Sequence, residues 1–272
     1  MILGIECSFR VDTASVLVPH CRNLGPILGT RIQLCGRVVA TVDGRRVDNE
    51  LPGRQGRLLF AYLVSNRLRA ASRAELMDAV WPDGWPGAPD SAMSALISKL
   101  RRVVGRDRLE GRSELKLALA EDAWIDAEAA GSALHRAEAA HTREDWPESW
   151  VAARVVQHIA VRPFVAGEEA AWIEDRRREL EDAYLRALEL AAHASLQIGG
   201  GELATAERAA RSLVNRAPLR ESGYRYLMEV HTARANRADA LHVYEQLRRL
   251  LRDELGAAPS PATQELHRAL LH

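Results

Sequence analysis

A change of hydrophobic period near residue 120 constrains the fold of this 272-residue chain more than any other feature. Before it, alternating segments frame three segments of helical period; after it no strand signal survives. Arg31 to Val47 alternates, with Ile32, Leu34, Val38 and Val42 apolar and Asp43-Gly44 as a hairpin turn signal. Leu51-Pro52-Gly53 then breaks the chain. Gln55 to Ser65 reads as a helix with Leu58, Leu59, Tyr62 and Leu63 on its inner face. Ser72 and Glu75 form a capping box for a helix over Arg73 to Val80, which Trp81-Pro82 stops. A Pro- and Gly-rich loop, Asp83 to Pro89, leads to a third helix over Asp90 to Gly105. Arg108 to Leu119 alternates again around Gly111 and Ser113, as two short strands would.

Sheet, three helices and hairpin in that order make an α+β winged helix with an added N-terminal sheet. Its third helix carries the most specific pattern. Met93, Ile97, Leu100 and Val104 form one apolar stripe. At about 100° per residue, Ser91, Ala95, Ser98 and Arg102 fall opposite, flanked by Ser94 and Arg101 on one side and Lys99 on the other. Small residues let a helix approach base edges, and cations reach guanines and phosphates. On this reading Ser94, Ala95, Ser98 and Lys99 meet bases of double-stranded DNA, while Ser91, Arg101 and Arg102 hold phosphates. Arg54 and Arg57 add backbone contacts, and Arg112 stands at the wing tip, where it meets either DNA or solvent. Most amphipathic helices with a basic front are plain surface helices, so this helix alone does not decide the matter.

Charge placement favours the nucleic-acid reading. Lys plus Arg and Asp plus Glu each total 37. Residues 26–112 nevertheless hold 15 basic against 9 acidic residues, and residues 113–272 hold 20 against 26. A basic segment followed by an acidic one fits a nucleic-acid module joined to a protein-facing one.

From Ile125 onward the chain reads as all helix, near 126–141, 147–160, 168–198, 202–215, 220–233, 237–254 and 262–271. Thr205-Ala206, Ala209 and Leu213 recur as Asp239-Ala240, Val243 and Leu247, an offset of 34 residues, the tetratricopeptide period. Trp146 to Ile159 reads as a further, degenerate member. The chain thus divides into a poorly structured extension (1–29), a winged-helix domain (30–121) and a tetratricopeptide-like all-α domain (122–272).

At this point the chain resembles the actinobacterial antibiotic-regulatory proteins, in which an OmpR-type winged helix precedes a bacterial transcriptional activation domain. The resemblance covers about residues 31–272. It rests on Leu51-Pro52-Gly53-Arg54-Gln55, on Leu76 to Trp81, and on Ile97-Ser98-Lys99-Leu100-Arg101-Arg102. In the second half it rests on Ala217-Pro218-Leu219-Arg220-Glu221, on Ala240-Leu241-His242-Val243-Tyr244, and on Leu250 to Gly256 followed by Pro259 and Pro261. The resemblance implies a transcriptional activator that binds promoter repeats as a homodimer and recruits RNA polymerase. The chain departs from the pattern in two places. Ser113-Glu114-Leu115-Lys116 replaces the usual Gly-Tyr of the wing, and Lys99 replaces an arginine, trading bidentate guanine recognition for a point charge.

Other chemistry finds little support. No GxxxxGK[ST] loop is present, no acidic receiver segment precedes the winged helix, and the nine histidines, His135 and His141 among them, lack ligand or triad spacing. Neither a cofactor nor a metal is expected, and enzymatic activity is the weakest reading. Cys7, Cys21 and Cys35 form no CxxC pair, which suits a reducing cytosol. No apolar run reaches the roughly 20 residues that span a bilayer, so a cytoplasmic protein is expected. Trp81, Trp85, Trp146, Trp150 and Trp172 read as core anchors. Two alternatives stay open: a ligand-sensing repressor, and a tetratricopeptide adaptor that binds protein alone.

Overall fold

The computed structural model describes residues 29–272. The expected N-terminal arm, Gly29 apart, and with it Cys7 and Cys21, lies outside the described residues. The first module begins with β1 (Arg31–Gln33), β2 (Val39–Val42) and β3 (Arg45–Arg46), antiparallel neighbours turning at Asp43-Gly44. Helix α1 (Gly53–Ser65) follows, then the two-residue β4 (Ala71–Ser72), α2 (Arg73–Val80) and α3 (Pro89–Val104). The wing is β5 (Leu109–Glu110) and β6 (Glu114–Leu117), and β6 also pairs with β4. At Gly111 (φ +88°) the wing turns so tightly that an added Cβ would lie 1.9 Å from the Glu114 carbonyl oxygen, so only glycine fits.

The Ser72 capping box is formed. Its hydroxyl accepts from the Glu75 amide at 3.2 Å, and the Glu75 carboxylate reaches back to the Ser72 amide. Arg69 and the Tyr62 hydroxyl also donate to Glu75 and hold its carboxyl down at about 2. A depressed carboxyl stabilises the fold fully above the ordinary value of about 4.3 and ceases to as pH falls toward 2. The stability difference between wild type and Glu75→Gln is therefore expected to shrink across that window in acid titrations followed by thermal melts. Ser72→Ala is expected to cost about 1 kcal/mol.

Two strands escaped the period reading because each has only two residues and lies in no longer alternating segment. One is β4. The other, β7 (Trp124–Ile125), pairs parallel to β1 and gives the sheet the order β3-β2-β1-β7. Helix α1 also differs from expectation. Instead of one inner face, it buries every residue from Leu58 to Val64, because the helical half of the chain covers the side that a free-standing winged helix would leave wet. Likewise Leu96 and Val103 join the stripe of α3 in the core.

The second half is α4 (Asp126–Thr142), α5 (Trp146–Ala160), α6 (Ala171–Ile198), α7 (Leu203–Arg216), α8 (Glu221–Ala233), α9 (Arg237–Leu255) and α10 (Pro261–Leu271). Each of α4 to α9 packs on the next, and α10 closes on α8 and α9. Buried alanines at the contacts, among them Ala133 and Ala137 on α4, Ala153 on α5, Ala191 on α6 and Ala210 on α7, let the axes approach closely. The α7 and α9 starts lie 34 residues apart, and Ala206, Leu213, Ala240 and Leu247 are fully buried, which is the repeat seen in the sequence. At Gly223 α8 lies close on α7: a Cβ there would meet Val214 Cγ2 at 2.9 Å. Glu221, at the start of α8, ties down α10 by accepting from Ser260 N at 3.0 Å and Thr263 Oγ1 at 2.5 Å.

The two modules share one apolar core. Ile32, Leu34, Leu58 and Leu63 of the first lie in the same buried cluster as Ile159, Phe164, Val165 and Ile173 of the second. Fully buried Asp126 accepts from Leu34 N at 2.8 Å, Cys35 N at 2.9 Å and Ala127 N at 2.8 Å. Burial pushes its carboxyl above the usual range while these three donors pull it back. The neighbouring Cys35 thiol is pushed up to about 12 by burial and by the Asp126 charge, and is therefore chemically quiet. Residues 34–36 also pair with the loop after α5: Val165 N donates to Leu34 O at 2.7 Å and Gly36 N to Pro163 O at 2.7 Å.

Candidate nucleic-acid interface

The capping residues of α2 and the packing of α3 on α1 and α2 set the presented face of α3. Ser91, Ser94, Ala95, Ser98, Lys99 and Arg102 are all exposed along it, and among the described residues only Ser94 is hydrogen-bonded there by another side chain, that of Arg73. On one flank a shallow hollow runs between helix and wing, lined by Ser94, Ser98, Arg101, Arg102, Arg106, Gly111 and Arg112. On the other flank Lys99 and Ala95 border a second hollow with Pro52, Gly53 and Gln55 of the α1 entry. The face is therefore convex at the helix and concave on both sides, with cations along the wing flank.

Arg101 is placed differently from Arg102. Its guanidinium is half-buried and donates to two wing carbonyls, Leu109 O at 3.3 Å and Gly111 O at 2.6 Å. It fixes the wing to the helix, whereas Arg102, Arg106 and Arg112 project freely. Arg54 and Arg57 stand apart from this free charge. Arg54 Nε donates to Glu168 Oε2 at 2.8 Å and Arg57 Nη2 to Glu168 Oε1 at 3.0 Å. That carboxylate, nearly buried, belongs to the loop before α6. The expectation of backbone contacts from these two arginines is thus qualified: any phosphate reaching them has to compete with Glu168. Arg177 holds that loop by donating to the Phe164 and Glu168 carbonyls at 3.0 and 2.8 Å.

Two residues that the period reading passed over belong to the face. Arg73, the first residue of α2, donates to Ser94 Oγ at 2.9 Å and to Asp90 O at 3.2 Å, so it orients the first turn of α3. Arg106 follows the apolar stripe directly, and its place after Gly105 was the available signal. The tryptophans divide. Trp172 is a seam anchor, edge-on to Tyr62 at 5.1 Å and donating to Ala79 O at 3.1 Å. Trp85, expected in the core, is half exposed and donates to Asp78 Oδ1 at 3.0 Å, because it sits in the loop before α3 rather than on a packed face.

A winged helix with an uncovered basic face, fused through a continuous core to stacked helical hairpins, is the architecture of a bacterial transcription regulator. The bacterial transcriptional activator domain family matches residues 125–271, and the chain belongs to that family, as a regulator of the antibiotic-regulatory-protein type. It is 31% identical over 252 residues to the regulatory protein AfsR of Streptomyces coelicolor, covering 89% of this chain and 24% of that one. With AfsR of Streptomyces griseus the identity is 29% over 227 residues, covering 80% and 22%. The chain thus spans about a quarter of the length of these relatives. The transcriptional regulatory protein EmbR of Mycobacterium tuberculosis is 24% identical over 255 residues, covering 88% of this chain and 62% of EmbR. A solved structure of that EmbR in complex with a low affinity phosphopeptide superposes with a TM-score of 0.75 at 21% identity, over 89% of this chain and 65% of that one. The shared fold is the α+β module followed by the helical domain. Among the described residues no helix is long and apolar enough to cross a membrane.

Proposed function

We propose that the protein is a sequence-specific DNA-binding regulator that activates transcription, laying α3 in the major groove and contacting RNA polymerase from the promoter. One observation carries this reading: Ser91, Ser94, Ala95, Ser98, Lys99 and Arg102 share an exposed helix face, with Arg106 in the turn after the helix and Arg112 on the wing beside it. Three hydroxyls, a methyl group and two cations suit base edges and phosphates, and no acidic side chain interrupts them between Ser91 and Arg102. Ser94, Ala95, Ser98 and Lys99 read bases; Ser91, Arg101, Arg102 and Arg112 hold phosphates. A front of small hydroxyls discriminates modestly, so affinity leans on phosphate and falls steeply with salt. Specificity then comes in part from two copies bound to direct repeats and from DNA shape.

The test is a mobility shift with mixed genomic fragments at moderate salt, followed by footprinting of the shifted sites. A protein that shifts nothing is an adaptor rather than a DNA reader. A reporter placed downstream of a bound site then separates activation from repression by its sign. On such a site Lys99→Ala is expected to relax preference at one base pair by about 1 kcal/mol, roughly fivefold in competition binding, and to leave the other positions unchanged.

A further inference from the structure

We infer that the seam between the winged helix and the helical domain is a binding site for a small, uncharged apolar molecule. A cavity of about 290 Å³ lies there, walled by Leu34 and Val64 of the first module, Ile125 of β7, and Ala127, Ala130, Phe164, Leu180 and Ala183 of the second. Its size falls at the small end of ligand sites. The cavity is a cleft open at one side, with apolar walls and charged side chains at the mouth.

The charged groups at its mouth fix the chemistry of the occupant. Glu128 is held bidentately by Arg67 at 2.7 and 2.8 Å. Arg176 is paired with Glu179 at 2.7 Å. Ser65 gives its proton to Ala61 O at 2.8 Å, which leaves only acceptor lone pairs on its oxygen. Every lining charge therefore already has its counter-charge. A carboxylate or an ammonium entering the cavity would break an ion pair to gain one, and would desolvate in doing so. An apolar body with at most one weak donor directed at Ser65 meets no such cost. This inference stands on the cavity alone and does not depend on DNA binding.

Gly131 offers a clean test. It lies on α4 and lines the cavity, and a Cβ there meets nothing within 4 Å, so the backbone at this position accepts a side chain. Indole, an uncharged apolar probe with a single N–H, is titrated into the full chain and followed by calorimetry and by amide chemical shifts. Binding to wild type is expected, with shifts centred on Leu34, Ala127 and Leu180. Gly131→Leu and Ala127→Leu are each expected to lower indole affinity at least tenfold while melting no lower than wild type; Gly131→Ala keeps it within about twofold. Decanoate, with its obligatory charge, is expected to bind at least tenfold more weakly than indole. No indole binding by folded wild type, undiminished binding in both leucine variants, or decanoate binding as tight as indole would overturn the proposal.

Discussion

Asp126→Ala is expected to lower stability by about 3–5 kcal/mol and to leave a protein that melts without a single sharp transition. The carboxylate satisfies two amides of the first module, Leu34 and Cys35, and one of its own helix. Truncation leaves those amides buried with nothing to bond, at about 1–3 kcal/mol for each. It also removes the polar link that ties α4 to the segment just after β1, in the middle of the shared core. Asn in its place is no remedy, because one of its two terminal atoms is a donor facing another donor. Urea unfolding followed by tryptophan fluorescence and by helical circular dichroism checks this. A loss below 1 kcal/mol with coincident curves would show that the seam does not depend on this side chain.

The second large effect concerns DNA. The Arg101→Ala, Arg102→Ala double variant is expected to lose on the order of 100-fold in affinity for every sequence, and its salt dependence to flatten by about two logarithmic units of slope. The single variants separate the causes. Arg102 is free, so its loss is electrostatic and removes about one unit of slope. Arg101 donates to the Leu109 and Gly111 carbonyls, so Arg101→Ala also releases the wing. Its effect then exceeds its share of charge, and protease cleavage near Arg112 should speed up in the free protein. Equal footprints and affinities for the double variant and wild type would remove α3 as the DNA reader.

Much of the fold was legible because local signals marked the ends of elements. Ser72 and Glu75 open α2, Trp81-Pro82 follows its end, and Asp43-Gly44 turns between β2 and β3. The 34-residue echo was legible for the same reason, since small residues at fixed spacing are what paired helices need. The exposed face of α3 followed from its period alone. What sequence did not reveal is whatever depends on residues far apart. Glu168 lies 114 and 111 positions from its two arginines, and nothing in its own neighbourhood, GEEAAW, distinguishes it from a solvated glutamate. The two-residue strands β4 and β7 carry too few side chains to express a period. The full burial of α1 had a signal, the unbroken run Leu58 to Val64, which an amphipathic reading split into an inner and an outer face.

The pairing of residues 34–36 with the loop at 163–166 also bears on how the chain is made. At about 5–20 residues per second, the 129 residues from Gly36 through Phe164 take roughly 6–26 s to synthesise. Throughout that interval the N-terminal sheet has emerged without its cover, and the apolar side of α1 that Phe164 and Trp172 later shield faces water. Ribosome-bound chains truncated before Phe164 should therefore engage chaperones, and those extending beyond α6 should let them go.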